Sequence, residues 1–366
     1  IEAYLDKRQS QTPDEQTAAS SGKMSGVAPD KTLGHTSVID INAEKEYEEM
    51  QLVHTAEHTR AYIKIQDGCN QFCSYCVIPF ARGRVRSRKP EQVEEEVRRL
   101  AEAGYHEIVL TGIHLSSYGL DFHGESYNTA GGQGNEQELL RLIERIHAVD
   151  GITRIRLGSL EPRVITEAFA GALAALPKVC PHFHLSLQSG CDGVLKRMNR
   201  RYTTEEFARS VEILRRVYEH PAITTDVITG FPGETEEEFA QTVSCLEKIR
   251  FFEMHVFPYS RREGTVAADM PGQLTEKEKK QRSSVLLAMT ARHSKEYREY
   301  YIGKEQEVLF EQCHEIEGRQ YLTGHTRNYV RVAVPVEGID PAEMTNQERI
   351  CCLTGFADDE TLLGTY

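Results

Sequence analysis

The sequence predicts an α/β protein, a core of parallel strands alternating with helices that is followed by a small all-β barrel. Three observations predict it. Short apolar, strand-like runs recur six times between residues 60 and 260. The segments between them carry helix-start signals and one-faced apolar spacing. Beyond residue 301 the helical signals give way to β-like runs broken by Gly, Asn and Asp. Six strands alternating with helices imply a parallel sheet with right-handed crossovers. Periodicity alone leaves open whether that sheet closes fully or curls as a partial barrel.

The elements are justified in order. Ala61–Gln66 alternates apolar and polar residues and stops at Asp67-Gly68, the mark of a strand. Pro90 opens a helix at its tolerated first-turn position, with Val93, Val97, Leu100 and Ala101 on one face and Gly104 at its end. Glu107–Thr111 is the second strand, followed by a Gly-rich insertion from Gly119 to Asn135 that reads as mobile. Leu139, Leu142, Ile143 and Ile146 mark the next helix. Arg154–Leu157, His182–Leu187, Ile223–Ile228 and Met254–Phe257 are the remaining strands, and Ile165–Leu176 is a helix. Thr203 with Glu206, Thr235 with Glu238 and Thr275 with Glu278 are capping boxes that open three more helices. The last of these runs to about Tyr301. In the final segment, Gln306–Phe310, Gln320–Thr323, Tyr329–Val336 and Arg349–Leu353 read as barrel strands.

Composition narrows the function classes. Of 366 residues, 39% are hydrophobic and 27% charged, which fits a globular chain and excludes collagen-like or wholly disordered ones. No run approaches the ~18 apolar residues of a membrane span, and no secretory pattern opens the sequence, so no membrane association and a cytoplasmic location are expected. Nine cysteines are an odd number and too few for a disulfide scaffold in a chain this long; they point to metal or redox chemistry. The net charge of −13 is uneven: residues 1–59 carry 5 basic and 11 acidic side chains, residues 302–366 carry 5 and 12, and the middle is neutral. That acidity weighs against nucleic-acid binding unless the basic groups share one face. Residues 9–36 are polar and read as a flexible segment, and residues 40–57 as an acidic linker.

Chemistry concentrates just beyond the first strand. Cys69, Cys73 and Cys76 form C-x3-C-x2-C in GCNQFCSYC. Active residues of parallel sheets gather at the C-terminal ends of the strands, and this triplet sits at such an end. Three thiolates suit an iron-sulfur cube with one iron left open. The alternative is a closed zinc knuckle, with a fourth ligand from His54, His58 or a distant cysteine. Arg82, Arg84, Arg86, Arg88 and Lys89 follow as the densest basic cluster, suited to a phosphate backbone or simply solvated.

The triplet, with Tyr75 before its last cysteine, resembles the signature of the radical S-adenosylmethionine (SAM) superfamily. GCNQFCSYCVIPFARGRVRSR, LTGIH (110–114), HLSLQSGCDGVLKRMNRRYT (184–203), DVITGFPGETEEEF (226–239) and HVFPYSRREGTVAA (255–268) are similar to its methylthiotransferase branch. Within that branch they resemble the members that act on threonylcarbamoyladenosine in tRNA. The resemblance implies a partial (βα)6 barrel at 60–301 and a TRAM-like RNA-binding barrel at 302–366. It implies a [4Fe-4S] cluster on Cys69, Cys73 and Cys76, and SAM cleaved to a 5′-deoxyadenosyl radical with an electron from a flavodoxin- or ferredoxin-like donor. The product would be the 2-methylthio derivative of N6-threonylcarbamoyladenosine next to the anticodon. Isopentenyladenosine in tRNA, an aspartate of a ribosomal protein, and an inactive tRNA-binding fragment are the alternatives.

SAM is expected at the strand ends, near Gly112, Ser159, Glu161, Ser186, Gln188, Arg200, Gly230 and Gly233. Thr111-Gly112-Ile113 stands where the superfamily often has Gly-Gly-Glu, so no glutamate is assigned to the methionine amine. Ser159, Ser186 and Gln188 are equally suited to ordinary turns, Gly230 and Gly233 to a tight turn, and Arg200 and Arg201 to surface ion pairs. In the barrel, GHTRNYVRVAV resembles the RNA-contacting segment, with Tyr321, His325, Arg327, Asn328, Tyr329 and Arg331 as candidates. Complete methylthiotransferases hold a second cluster on three cysteines of an N-terminal domain. No cysteine precedes Cys69, so those ligands are absent here, and residues 1–59 read as the end of such a domain plus a linker. Cys180, Cys191 and Cys245 are scattered and do not replace them.

Overall fold

The computed structural model describes residues 41, 44, 46, 47, 59–123, 136–338 and 340–366. Most of the acidic linker, the N-terminal segment, His54 and His58, and most of the Gly-rich insertion lie outside them.

The six predicted parallel strands all form. They are β1 (Arg60–Asp67), β3 (Glu107–Gly112), β4 (Arg154–Leu157), β5 (His182–His184), β6 (Ala222–Thr229) and β7 (Glu253–Pro258). A two-residue strand that the sequence did not reveal, β2 (Arg86–Ser87), pairs antiparallel with the end of β1. One sheet runs β2-β1-β3-β4 and a second runs β5-β6-β7. Isolated parallel bridges, Ile155 to Val179 and Leu160 to Leu185, join them, so the strands curl as a half-barrel.

Alternation decides what faces where. Ile63, Ile65, Ile108, Leu110, Ile155, Leu157, Phe183, Ile223 and Val227 point outward into one core beneath the helices. The residues between them, among them Arg60, Glu107, Arg154, Arg156, His182, His184 and Asp226, occupy the opposite face and line the lumen.

A short helix α1 (Ile78–Ala81) follows the cysteine loop, and the outer helices begin with α2 (Pro90–Glu102), α3 (Glu136–His147), α4 (Glu167–Ala174) and α5 (Asp192–Arg197). They continue with α6 (Thr204–Val217), α7 (Glu236–Ile249) and the long α8 (Glu276–Glu299). All three expected capping boxes form reciprocally at the starts of α6, α7 and α8.

The C-terminal segment is a closed five-stranded barrel in the order β10-β12-β11-β8-β9. Its strands are β8 (Glu305–Ile316), β9 (Arg319–Thr326), β10 (Arg331–Pro335), β11 (Glu348–Phe356) and β12 (Thr361–Thr365), with a short helix α9 (Pro341–Met344) before β11. Glu317 and Gly318, both at positive φ, make the two-residue turn of the first hairpin. β12 was not foreseen, because TLLGT is short and follows an acidic turn.

The barrel plugs the N-terminal end of the half-barrel. Its loop before β10 enters the lumen, where the Tyr329 ring stacks between His182 at 4.9 Å and His325 at 4.6 Å. Arg60 and Arg156 lie over the same ring, at 5.2 and 4.7 Å from its centroid. Arg154, fully buried, donates to Glu348 Oε1 at 2.6 Å and to the His325 carbonyl at 2.8 Å. Arg156 donates to the carbonyls of Thr326 and Arg327. Arg60 pairs with Glu311. Acidic barrel residues thus meet an arginine-lined opening, and part of the negative charge of 302–366 is spent inside the molecule.

Candidate active site

At the opposite, C-terminal end of the strands, the cysteine loop is anchored before it begins. Gly68 adopts φ +69°, and a Cβ there would lie 1.8 Å from the Arg84 carbonyl oxygen, so only glycine lets the chain pass. The Cys69 amide donates to the Gly83 carbonyl at 3.1 Å, clamping the loop shut. Asp67 holds the clamp from below: it accepts from the Gly68 amide at 2.8 Å and takes the Arg82 guanidinium through both oxygens, at 3.1 and 2.6 Å. Burial works against the ionised Asp67, but the bonds from Arg82 and Lys64 hold its carboxyl below the usual carboxylate range. Gln66 bridges strands: its amide nitrogen donates to the carbonyls of Asp67 and Gly68, and its oxygen accepts from the His114 amide. A Cβ on Gly112 would sit 3.1 Å from Gln66, so Gly112 makes room for this brace.

Cys69, Cys73, Cys76, Ser159, Glu161, Ser186 and Arg200 line one cavity of about 130 Å³. Five of the expected strand-end residues are therefore brought together: Ser159, Glu161, Ser186 and Arg200 around the cysteines, and Gly112 behind them. Gln188 lines a neighbouring cavity of about 460 Å³ with Tyr75, Cys76, Asp226, Tyr259 and Arg262. Gly230 and Gly233 line neither. Their amides are taken by Glu234 Oε2 and by the Gly272 carbonyl, each at 2.8 Å.

Arg200 reaches the cluster position. Its Nη1 lies 3.3 Å from Cys73 Sγ, and its Nε donates to the Tyr202 hydroxyl at 2.9 Å. Arg201 is exposed. Glu161 is held on three sides, by Arg163 at 2.7 Å and by His114 and Gln71 at 3.3 Å each. Burial opposes its charge, but His114 and Arg163 outweigh it and bring the carboxyl down to about 2. Sequence reasoning missed His114 and Gln71; both sit in loops after strands, where position was the only available signal.

The thiols are free. Burial pushes Cys69 up to about 11, so an ordinary thiol at this position is protonated near neutrality. The nearby Arg200 cation suits an iron-sulfur cluster, which binds thiolates and carries negative charge.

The basic cluster is split by β2. Arg82 and Arg84 are exposed, with the Arg84 guanidinium 4.6 Å over the Phe72 ring. Arg86 and Arg88 are buried; Arg86 faces Asp67 and Arg88 pairs with Glu96. They are corrected from RNA candidates to internal supports, because strand pairing turns them inward. Arg327 and Tyr329 are corrected likewise. Arg327 bonds to the Pro177 carbonyl, and Tyr329 is the plug described above. Arg331 is half-buried on β10.

Residues 63–246 match the family model of the radical SAM superfamily. The chain belongs to that superfamily. Its resident cofactors are accordingly a [4Fe-4S] cluster and SAM, and the cysteine cavity has the donor set for the first. The chain is also 42% identical, over 297 residues, to the threonylcarbamoyladenosine tRNA methylthiotransferase MtaB of Bacillus subtilis, covering 81% of this chain and 63% of that protein. It is 41% identical to the MtaB of Thermotoga maritima, covering 75% of this chain and 60% of that protein. It is 41% identical to the tRNA-2-methylthio-N(6)-dimethylallyladenosine synthase of Pelotomaculum thermopropionicum, covering 71% and 55%. The chain thus spans little more than half the length of these relatives. None of the described helices is long and apolar enough to cross a membrane.

Proposed function

We propose that this chain is the radical SAM part of a tRNA methylthiotransferase that converts N6-threonylcarbamoyladenosine beside the anticodon to its 2-methylthio derivative, in a cytoplasmic setting and with a flavodoxin- or ferredoxin-like electron donor. The observation that carries it is the single cavity that joins three free cysteines to Arg200, Glu161, Ser159 and Ser186 at the C-terminal strand ends. The Bacillus subtilis relative named for threonylcarbamoyladenosine is 42% identical over 297 residues, against 38% over 293 residues for a dimethylallyladenosine synthase that covers as much of the chain, which favours the first substrate.

When bound, the cluster and SAM supply one-electron cleavage of the sulfonium, the source of the radical. The chain's own residues prepare for it. Cys69, Cys73 and Cys76 would hold the cluster, and Arg200, 3.3 Å from Cys73, would offset thiolate charge there. Ser159 and Ser186 offer hydroxyls to the ribose or carboxylate of SAM. Glu161 is fixed as an anion by Arg163 and His114, oriented before any ligand arrives. Gln66, Asp67 and Gly68 keep the loop from opening. Arg84 and the rings of Phe72 and Phe80, 5.8 Å apart, make a cationic and aromatic lip on which an unstacked base can rest.

The test is iron and acid-labile sulfide per chain after anaerobic reconstitution, followed by 5′-deoxyadenosine formation with dithionite. About four irons and detectable product, both lost in Cys73→Ala, support the reading. Zinc in place of iron, or a cluster that never cleaves SAM, overturns it. Nucleoside analysis of tRNA from a strain lacking the gene then separates the two adenosine substrates by which methylthio derivative disappears.

A further inference from the structure

The lumen face of β5–β7 carries a second donor set, separate from the cysteines. Asp226 and His255 are direct partners across β6 and β7. His184 pairs with Thr224 across β5 and β6, which places it diagonally beside Asp226. All three alternate with core residues, Phe183, Val227 and Met254 among them, and so project to the same side. His184 Nε2 is 3.3 Å from Asp226 Oδ2, and His255 Nδ1 is 3.1 Å from Asp226 Oδ1. One ligand atom from each residue lies within 4.8 Å of the other two.

We propose that His184, Asp226 and His255 bind one divalent transition metal of the zinc or ferrous class. Two imidazoles and a carboxylate are a donor set of that class, and nitrogen and oxygen ligands around such an ion stand ~3.4 Å apart, close to the spacings here. His184 is oriented for it. Its Nδ1 is engaged with Thr224 Oγ1 at 3.0 Å, as the outer nitrogen of a metal-bound imidazole commonly is. Its Nε2 is shut off from solvent and faces Asp226 Oδ2 at 3.3 Å without the alignment of a hydrogen bond, which leaves the nitrogen open to a ligand placed between them. Asp226 also lines the 460 Å³ cavity beside Cys76. Three protein ligands leave an open position, and because Asp226 borders this cavity, water or a donor atom of the substrate can reach it to complete the shell.

The experiment measures metal directly and does not depend on SAM cleavage. The full-length chain with Cys69, Cys73 and Cys76 replaced by serine is titrated with Co²⁺. The expected result is one equivalent bound with visible ligand-field absorption, displaced by Zn²⁺. Asp226→Asn and His255→Ala should each weaken binding at least ~100-fold, and Thr224→Val about 10-fold. Should the triple-serine chain not fold, the cluster-bearing wild type is dialysed against Zn²⁺ and its zinc counted by mass spectrometry. One zinc per chain, lost in Asp226→Asn, supports the proposal. Absence of stoichiometric binding, or a zinc count unchanged in Asp226→Asn, overturns it and leaves the three residues as a hydrogen-bonded ion pair.

Discussion

Glu107 has no exposed surface, yet it faces three guanidiniums: Arg156 at 2.8 Å, Arg60 at 3.0 Å and Arg154 at 3.9 Å. Burial alone would raise its pKa, but Arg156 and Arg60 dominate and hold the carboxyl at about 2. Arg156 has no other carboxylate within ion-pair distance among the described residues. Glu107→Gln should therefore cost about 3–5 kcal/mol in urea unfolding at neutral pH, the usual loss when one partner of a buried pair is removed. The sign of the pH dependence follows. A depressed carboxylate stabilises the fold fully above its unfolded value near 4.5, and that contribution drains as pH falls toward 2. In the Glu107→Gln variant, the stability curve should be flatter across that acid window; an unchanged slope would show that Glu107 is not the group being titrated. Gly68 gives a second prediction. Gly68→Ala places a methyl against the Arg84 carbonyl at a positive φ, and iron per reconstituted chain should fall several-fold while the far-UV spectrum stays native. The contrast between these residues explains what the sequence could tell. The cysteine loop was legible because spacing and strand-end position constrain it locally, whereas the contact of Arg200 with Cys73 was not. Glu107 was not, because its role depends on three arginines brought in by other strands. Arg86 and Arg88 misled for the same reason. Charge density is visible in a sequence, but the two-residue pairing of Arg86–Ser87 with β1 that buries them is not.

At the scale of elements, the six core strands and the three capping boxes were readable, since apolar runs and cap spacing are local sequence signals even where the strands pair with distant partners. The loop from Thr326 to Val330 was not. Its composition suits RNA stacking, but the Thr326 amide bonds to the Val330 carbonyl at 2.9 Å and Tyr329 takes φ +66°, which turns the ring into the half-barrel. Asn328 closes the same seam, donating to the His220 carbonyl at 2.9 Å and the Tyr301 hydroxyl at 2.8 Å. The loop is therefore the joint between barrel and core. Tyr329→Ala should destabilise the protein by roughly 3 kcal/mol, as loss of a packed aromatic does. It should also loosen the coupling of the two parts, so that calorimetry resolves a separate barrel transition where the wild type unfolds once. A variant that keeps a single transition at the wild-type temperature would remove Tyr329 from the joint.

For the whole molecule, charge and the proposed function pull in opposite directions. A chain of net charge −13 repels a polyanion, and the acidic barrel adds most to that repulsion. Internal pairing resolves part of it: the barrel's Glu311 meets Arg60 of the core, and its Glu307 and Glu348 meet Arg154, so these charges are partly offset at short range. What faces solvent at the other end is different. Arg84 and Arg262 are exposed on the loops that frame the cysteine cavity and its neighbour. If RNA enters at this mouth, these cations carry the phosphate contacts, and the plug residues carry none. Arg84→Gln with Arg262→Gln should then reduce the slope of log affinity against log salt for tRNA by about 1–2, each phosphate contact being worth ~0.7–0.9. Arg327→Gln should lower thermal stability and leave that slope unchanged. The reverse pattern, a slope that responds to Arg327 and ignores the mouth, would place the RNA on the barrel and require the plug to open before substrate binds. The two outcomes differ in kind: in the first, one rigid body presents a site at the strand ends, whereas in the second, binding and unplugging share a single free energy.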